Sequence, residues 1–193
     1  MKKLIVLASM MAMGSSSVYA DACSDGFGMD FTFLGGRTKS YIVDDNSFKK
    51  MTATFPNGKL EGATVDIDLF SITTPDLTNG EMTWEEGMIA VRDKNTVDGF
   101  FKIHENNPGK GSAKIVKVTD GSVDVAITIN AITETITMKT SADGDKLKAT
   151  GELDVSKFGS KAWNNFRTLC AGFHQRKSWP TITVNFTVPA SCK

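Results

Sequence analysis

Few residues in this chain could do chemistry. The two histidines are His104 and His174, and the three cysteines are Cys23, Cys170 and Cys192. Cys170 and His174 stand four residues apart, which places both side chains on one face of a helix and would suit a Cys–His nucleophilic pair. Zinc needs three or four ligands at close spacing; His174 has one cysteine four residues away and His104 has none. No Cys-x-x-Cys motif is present, so thioredoxin-like redox chemistry and a zinc knuckle are not expected. Glu85 and Glu86 are adjacent and point apart, unlike a dyad that shares a proton. Arg92-Asp93 reads as a solvated ion pair. Nucleophile-elbow, P-loop and dinucleotide fingerprints are missing from the sequence. The reading is a binding protein, not an enzyme, with no cofactor and no metal.

The N-terminus says where such a protein would work. Lys2-Lys3, the apolar run Leu4 to Met13 and the small-residue stretch ending Val18-Tyr19-Ala20 have the three parts of a secretory signal peptide, with cleavage expected after Ala20. The apolar run is far shorter than the ~20 residues of a membrane-spanning helix. A lipid anchor at Cys23 would need a small apolar residue where Asp21 stands. Residues 1–20 are therefore read as leader and 21–193 as one domain. Without Lys2 and Lys3 the chain carries 20 Lys+Arg against 22 Asp+Glu, a formal charge of −2. No nucleic-acid partner is implied, and the mature protein should be soluble, whether alone or as an oligomer. In an oxidising compartment three cysteines give one disulfide and one thiol, and spacing leaves all three pairings open.

The elements that would hold a site alternate with period two, as half-buried antiparallel strands do. Phe27, Met29, Phe31 and Phe33 share one face. Val65, Ile67 and Leu69 alternate with Asp66 and Asp68. Val123, Val125, Ile127 and Ile129 do so near the middle, and Ile182, Val184, Phe186 and Val188 near the end. Weaker strands are expected around 41–43, 51–55, 100–103, 115–118, 135–139 and 147–153, punctuated by turn signals such as Pro56-Asn57-Gly58, Asp120-Gly121 and Asp143-Gly144. Two stretches break the pattern. Residues 73–97 carry Met82, Trp84, Met88 and Ile89. From Ser160, a candidate N-cap, Ala162, Trp163, Phe166, Leu169, Cys170 and Phe173 make the apolar stripe of one amphipathic helix. The whole is an all-β barrel or sandwich.

A closed antiparallel barrel of about eight strands is either filled by its own side chains or holds one elongated apolar ligand. Met29, Met51, Met82, Met88 and Met138 supply adaptable side chains for such a lining.

Several segments resemble, in order, those of the YceI-like family of periplasmic proteins. Val65-Asp66-Ile67-Asp68-Leu69-Phe70-Ser71-Ile72-Thr73-Thr74 is similar to its strand ending in Ser-Val-x-Thr. Arg92-Asp93 followed by Val97-Asp98-Gly99-Phe100-Phe101 resembles its Arg-Asp then Asp-Phe-Phe signature. Ile127 through Thr133 resembles its Asn-Gly hairpin, and Lys157-Phe158-Gly159 its Asp-Phe-Gly. The tail from Leu169-Cys170 to Lys177-Ser178-Trp179 is similar to that of a subgroup. Lys94-Asn95 stand where the family has a His, and Ala131 where it has a Gly.

The resemblance implies a closed antiparallel lipocalin-like β-barrel, with one amphipathic helix packed on it, that encloses a long-chain lipid such as a polyisoprenoid. It also implies a Cys23–Cys170 disulfide with Cys192 left over. The expected function is a periplasmic carrier of an isoprenoid, quinone or fatty-acid derivative. Arg92 would stand at the mouth, and Met82, Trp84, Met88, Phe100 and Phe101 would line the entrance. The alternative is a non-enzymatic envelope interaction module with a filled barrel.

Overall fold

The computed structural model describes residues 22–75, 86–106 and 108–192, and, in the helix that starts at Glu86, side chains from residue 89 onward. Met82 and Trp84 lie outside the described residues, as do the leader and the side chain of Met88. Among the described residues ten strands form one antiparallel sheet. They are β1 (Gly28–Gly35), β2 (Tyr41–Phe48), β3 (Met51–Thr54), β4 (Thr64–Asp68), β5 (Ile72–Thr73), β6 (Lys110–Thr119), β7 (Ser122–Ile129), β8 (Ile132–Asp143), β9 (Lys146–Asp154) and β10 (Thr181–Pro189). The order is β3-β4-β6-β7-β8-β9-β10-β1-β2-β5.

Among the described residues two helices of ten or more residues accompany the sheet, α1 (Glu86–Gly99) and α2 (Ser160–Leu169), besides a helical turn at 22–25. No described helix is long and apolar enough to cross a membrane.

The period-two segments became strands because one face of each is buried. Val123, Val125 and Ile127 of β7, and Ile182, Val184, Phe186 and Val188 of β10, point into a common core.

The expectation of a closed barrel of about eight strands is corrected: ten strands curl into a barrel-like sheet whose ladder runs from β3 to β5. The extra strands arise because two runs are broken. Lys49-Lys50 separates β2 from β3, and a 3₁₀ turn at Leu69–Ser71 separates β4 from β5. Across the break only Lys49 N–H to Ser71 O (2.9 Å) and Asp68 N–H to Lys50 O (3.0 Å) continue the backbone bonding.

Other expectations are also corrected. Segment 100–103 is not a strand: Phe101–Ile103 is a 3₁₀ turn following α1. A strand would turn Phe100 and Phe101 to opposite faces, whereas both are 5% exposed here. The 73–97 stretch supplies a second helix. Gly159 holds the N-cap position of α2, and Ser160 is its first helical residue. Ala162, Trp163, Phe166 and Cys170 of the stripe are buried, but the helix ends at Leu169, and Leu169 and Phe173 are exposed.

The disulfide joins Cys23 to Cys192, not to Cys170, with the Cα atoms 5.9 Å apart. β1 and β10 are antiparallel neighbours with Gly28 opposite Thr187. Cys23 lies in the helical turn just before β1 and Cys192 just after β10, so pairing of these two strands brings the flanking segments together. Cys170 is a buried free thiol beside α1 at the other end of β1.

Candidate functional site

An internal cavity of about 150 Å³ runs through the curl of the sheet, and its walls present only apolar surface. Phe27, just before β1, and Met29, Phe31 and Phe33 of β1 all line it, which at ~3.3 Å per residue gives a length of roughly 20 Å. At its inner end Phe27 packs against Phe55 (6.1 Å) and Phe186 (6.4 Å), and Phe48, Phe100, Phe101, Trp163 and Phe166 cluster at its outer end. Aromatic edges fit into one another at the outer end: Phe33 meets Phe166 edge-on at 5.8 Å, and Phe100 meets Phe101 at 5.3 Å. Of the methionines expected in the lining, Met29 and Met138 are there and Met51 is not.

Beside the outer end lies a smaller chamber of about 70 Å³, bounded by Tyr41, Asn46, Thr74, Arg92, Thr96, Cys170 and His174. It shares Phe31, Phe33, Ile72, Thr96 and Phe166 with the large cavity. It shares Tyr41, Arg92, Cys170 and His174 with a shallow surface pocket between Val91 and Phe173. The three spaces thus follow one another from surface to interior. Gly35 permits the close approach on the chamber wall: a Cβ there would lie 3.0 Å from the Tyr41 ring and 3.1 Å from His174. Thr74 anchors α1 over the chamber, its N–H and hydroxyl both donating to Asp93 Oδ1 at 3.1 and 2.8 Å.

Burial governs the ionisable groups here. The Cys170 thiol is pushed up to about 11 by burial alone. His174 is pushed down to about 4, by burial first and by the Arg92 charge second. Its Nδ1 shares a hydrogen bond with Ser178 Oγ at 2.8 Å, and its ring packs against Tyr41 at 4.7 Å and Phe33 at 5.3 Å. A thiol held protonated beside a neutral imidazole is the reverse of the thiolate–imidazolium arrangement that nucleophilic chemistry needs. His104 is also pushed down by burial; neither of its ring nitrogens has a partner, and its ring meets Phe100 edge-on at 4.8 Å. Among the described residues no group of three His, Cys, Asp or Glu could hold a metal ion.

No family model and no curated protein matches the chain. Solved structures do match. BcnA of Burkholderia cenocepacia is 14% identical, covering 84% of this chain and 96% of that one, with a TM-score of 0.47. The YCEI protein of Campylobacter jejuni is 16% identical, covering 75% and 82%, at 0.46, and a mutant of it is 17% identical, with the same coverage, at 0.45. In architecture the chain resembles YCEI-protein structures.

Of the residues named from sequence, Phe100 and Phe101 line the cavity and Arg92 borders the chamber. Sequence reasoning missed the inward aromatic wall from β1, although its alternation was visible. It also missed Tyr41 and Asn46, which carry no pattern that would separate them from surface residues.

Proposed function

We propose that this protein is an exported, non-catalytic carrier that holds one long-chain apolar molecule inside its curled sheet. The observation that carries the reading is the elongated cavity of about 150 Å³ with wholly apolar walls. A water takes roughly 10–15 Å³ on that measure and wants two to four polar partners, so about ten waters would fit and the wall would offer them none. Leaving the space empty would cost about 4 kcal/mol at ~24 cal/mol per Å³. A slender hydrocarbon relieves both penalties and gains ~0.8 kcal/mol for each CH₂ it buries. The length of the wall on β1 favours a chain over a compact ring. The Cys23–Cys192 disulfide favours an oxidising compartment such as the periplasm, in keeping with the leader-like residues 1–20.

Native mass spectrometry of the mature protein purified from its own envelope, followed by organic extraction, tests the proposal. A stoichiometric long-chain lipid of the isoprenoid, quinone or fatty-acid kind is expected. An apo mass that stays unchanged after incubation with all three classes would overturn it in favour of a filled barrel that works through its surface.

A further inference from the structure

The chamber between surface and cavity contains two polar atoms that the fold leaves without partners. Asn46, on β2, is 1% exposed. Its amide nitrogen donates to Phe31 O at 2.8 Å and Val43 O at 2.6 Å, which fixes the orientation of the group: a flipped amide would set Oδ1 against two carbonyl oxygens. Oδ1 is therefore an acceptor, and it is buried with no donor. Arg92, on α1, gives Nη2 to Pro75 O at 3.0 Å, while its Nη1 is buried with no acceptor. Its neighbour Asp93 is taken up by Thr74, and no described carboxylate forms an ion pair with Arg92. The other polar groups of the wall are engaged: the Tyr41 hydroxyl is hydrogen-bonded to the Arg92 side chain, Thr96 Oγ1 donates to Arg92 O, and His174 Nδ1 is bonded to Ser178. What is unmet is one acceptor and one donor on opposite elements.

We infer that this chamber seats the polar end of the carried molecule, and that this end is a neutral group that both donates and accepts a hydrogen bond: a terminal hydroxyl or primary amide. The inference rests on the carrier reading and specifies the ligand's head. A hydroxyl gives its proton to Asn46 Oδ1 and accepts from Arg92 Nη1. A carboxylate satisfies Arg92 but presents only lone pairs to Asn46 Oδ1. An ether or ester accepts and cannot donate, and an ammonium is repelled by Arg92. The tail then follows the shared wall at Phe31, Phe33 and Phe166 into the apolar cavity.

The test compares ligands with one tail and four heads: a long-chain primary alcohol, its methyl ether, the matching fatty acid and the hydrocarbon. Each is titrated against delipidated protein with its disulfide intact, by displacement of a fluorescent lipid probe. The alcohol should bind tightest, with the ether weaker by ~10–100-fold because it strands Asn46 Oδ1. In R92M the alcohol's advantage over the hydrocarbon should collapse. This variant leaves the Asn46 bonds that tie β1 to β2 untouched, and circular dichroism establishes that it folds. Equal affinities across the four heads, or a fatty acid that outbinds the alcohol, would overturn the head-group assignment while leaving the carrier intact. Failure of every ligand to displace the probe, the hydrocarbon included, would instead remove the carrier reading.

Discussion

His174 shows how one buried side chain can set the behaviour of the fold in acid. Its folded-state value of about 4 lies below the ~6.5 of an unfolded histidine, so the unfolded chain binds the proton more readily. The stability linked to the neutral ring is fully present above pH 6.5 and is lost as pH falls from there towards 4. Over that window a shift of this size corresponds to about 3 kcal/mol. His104, also pushed down by burial, adds to the same limb. Urea melts between pH 7.5 and 4.5 should lose stability steadily below pH 6.5, and H174Q should flatten the slope without abolishing it. A slope unchanged in H174Q would mean that the imidazole is not what titrates. Asn46 was illegible in the sequence for a different reason. Simple alternation along β2 from buried Val43 turns residues 44 and 46 outward. Asp45 instead adopts φ 52°, the register shifts between Phe31 and Phe33, and Asn46 comes to face inward opposite Phe31.

Among the elements, the β7–β8 hairpin has a two-residue turn at Asn130-Ala131, and both residues are left-handed, with φ 55° and 59°. A turn of this kind favours Asn-Gly, because the first residue tolerates positive φ and the second has no Cβ to strain. Asn130 is held there by its side chain, which donates to Phe158 O at 2.7 Å and accepts from Asn106 N–H at 2.8 Å. Ala131 has no such compensation. A131G should therefore raise stability by about 1 kcal/mol, seen as a higher urea midpoint at unchanged slope. A lower midpoint would show that strain at Ala131 is already relieved elsewhere. The long strands and α2 were readable because each buries one regular face. α1 was not, because its charged and apolar residues form no single stripe; it is held by polar contacts such as Asn165 Nδ2 to Gly99 O at 2.9 Å and Thr74 to Asp93. Phe100-Phe101 misled for the same reason, since two adjacent inward aromatics fit a helical turn rather than a strand.

For the whole molecule, the cysteine pairing depends on a fact that no local pattern contains: the first and last strands are neighbours. Once β1 and β10 are paired, the segment before β1 and the segment after β10 come together with Cys23 and Cys192 on them, and Cys170 is left at the chamber end. The bond closes a loop of 169 residues, which on chain-entropy grounds is the long-loop case, worth about 2–5 kcal/mol when removed. Replacing both partners, C23S/C192S, should lower the urea midpoint accordingly. The seam it fastens lies beyond Gly28, whereas the chamber lies near Gly35 at the other end of the same strand. The double variant should therefore lose stability yet keep its preference among ligand heads. Thiol counting supplies the complementary test. In the native protein Cys170 is buried and held as the thiol, so Ellman's reagent at pH 7.5 should react slowly or not at all, and one thiol should appear on unfolding without reductant. A thiol that reacts fully in the folded state would place Cys170 in open contact with solvent, and the route from the surface pocket to the cavity would then be wider than its lining describes.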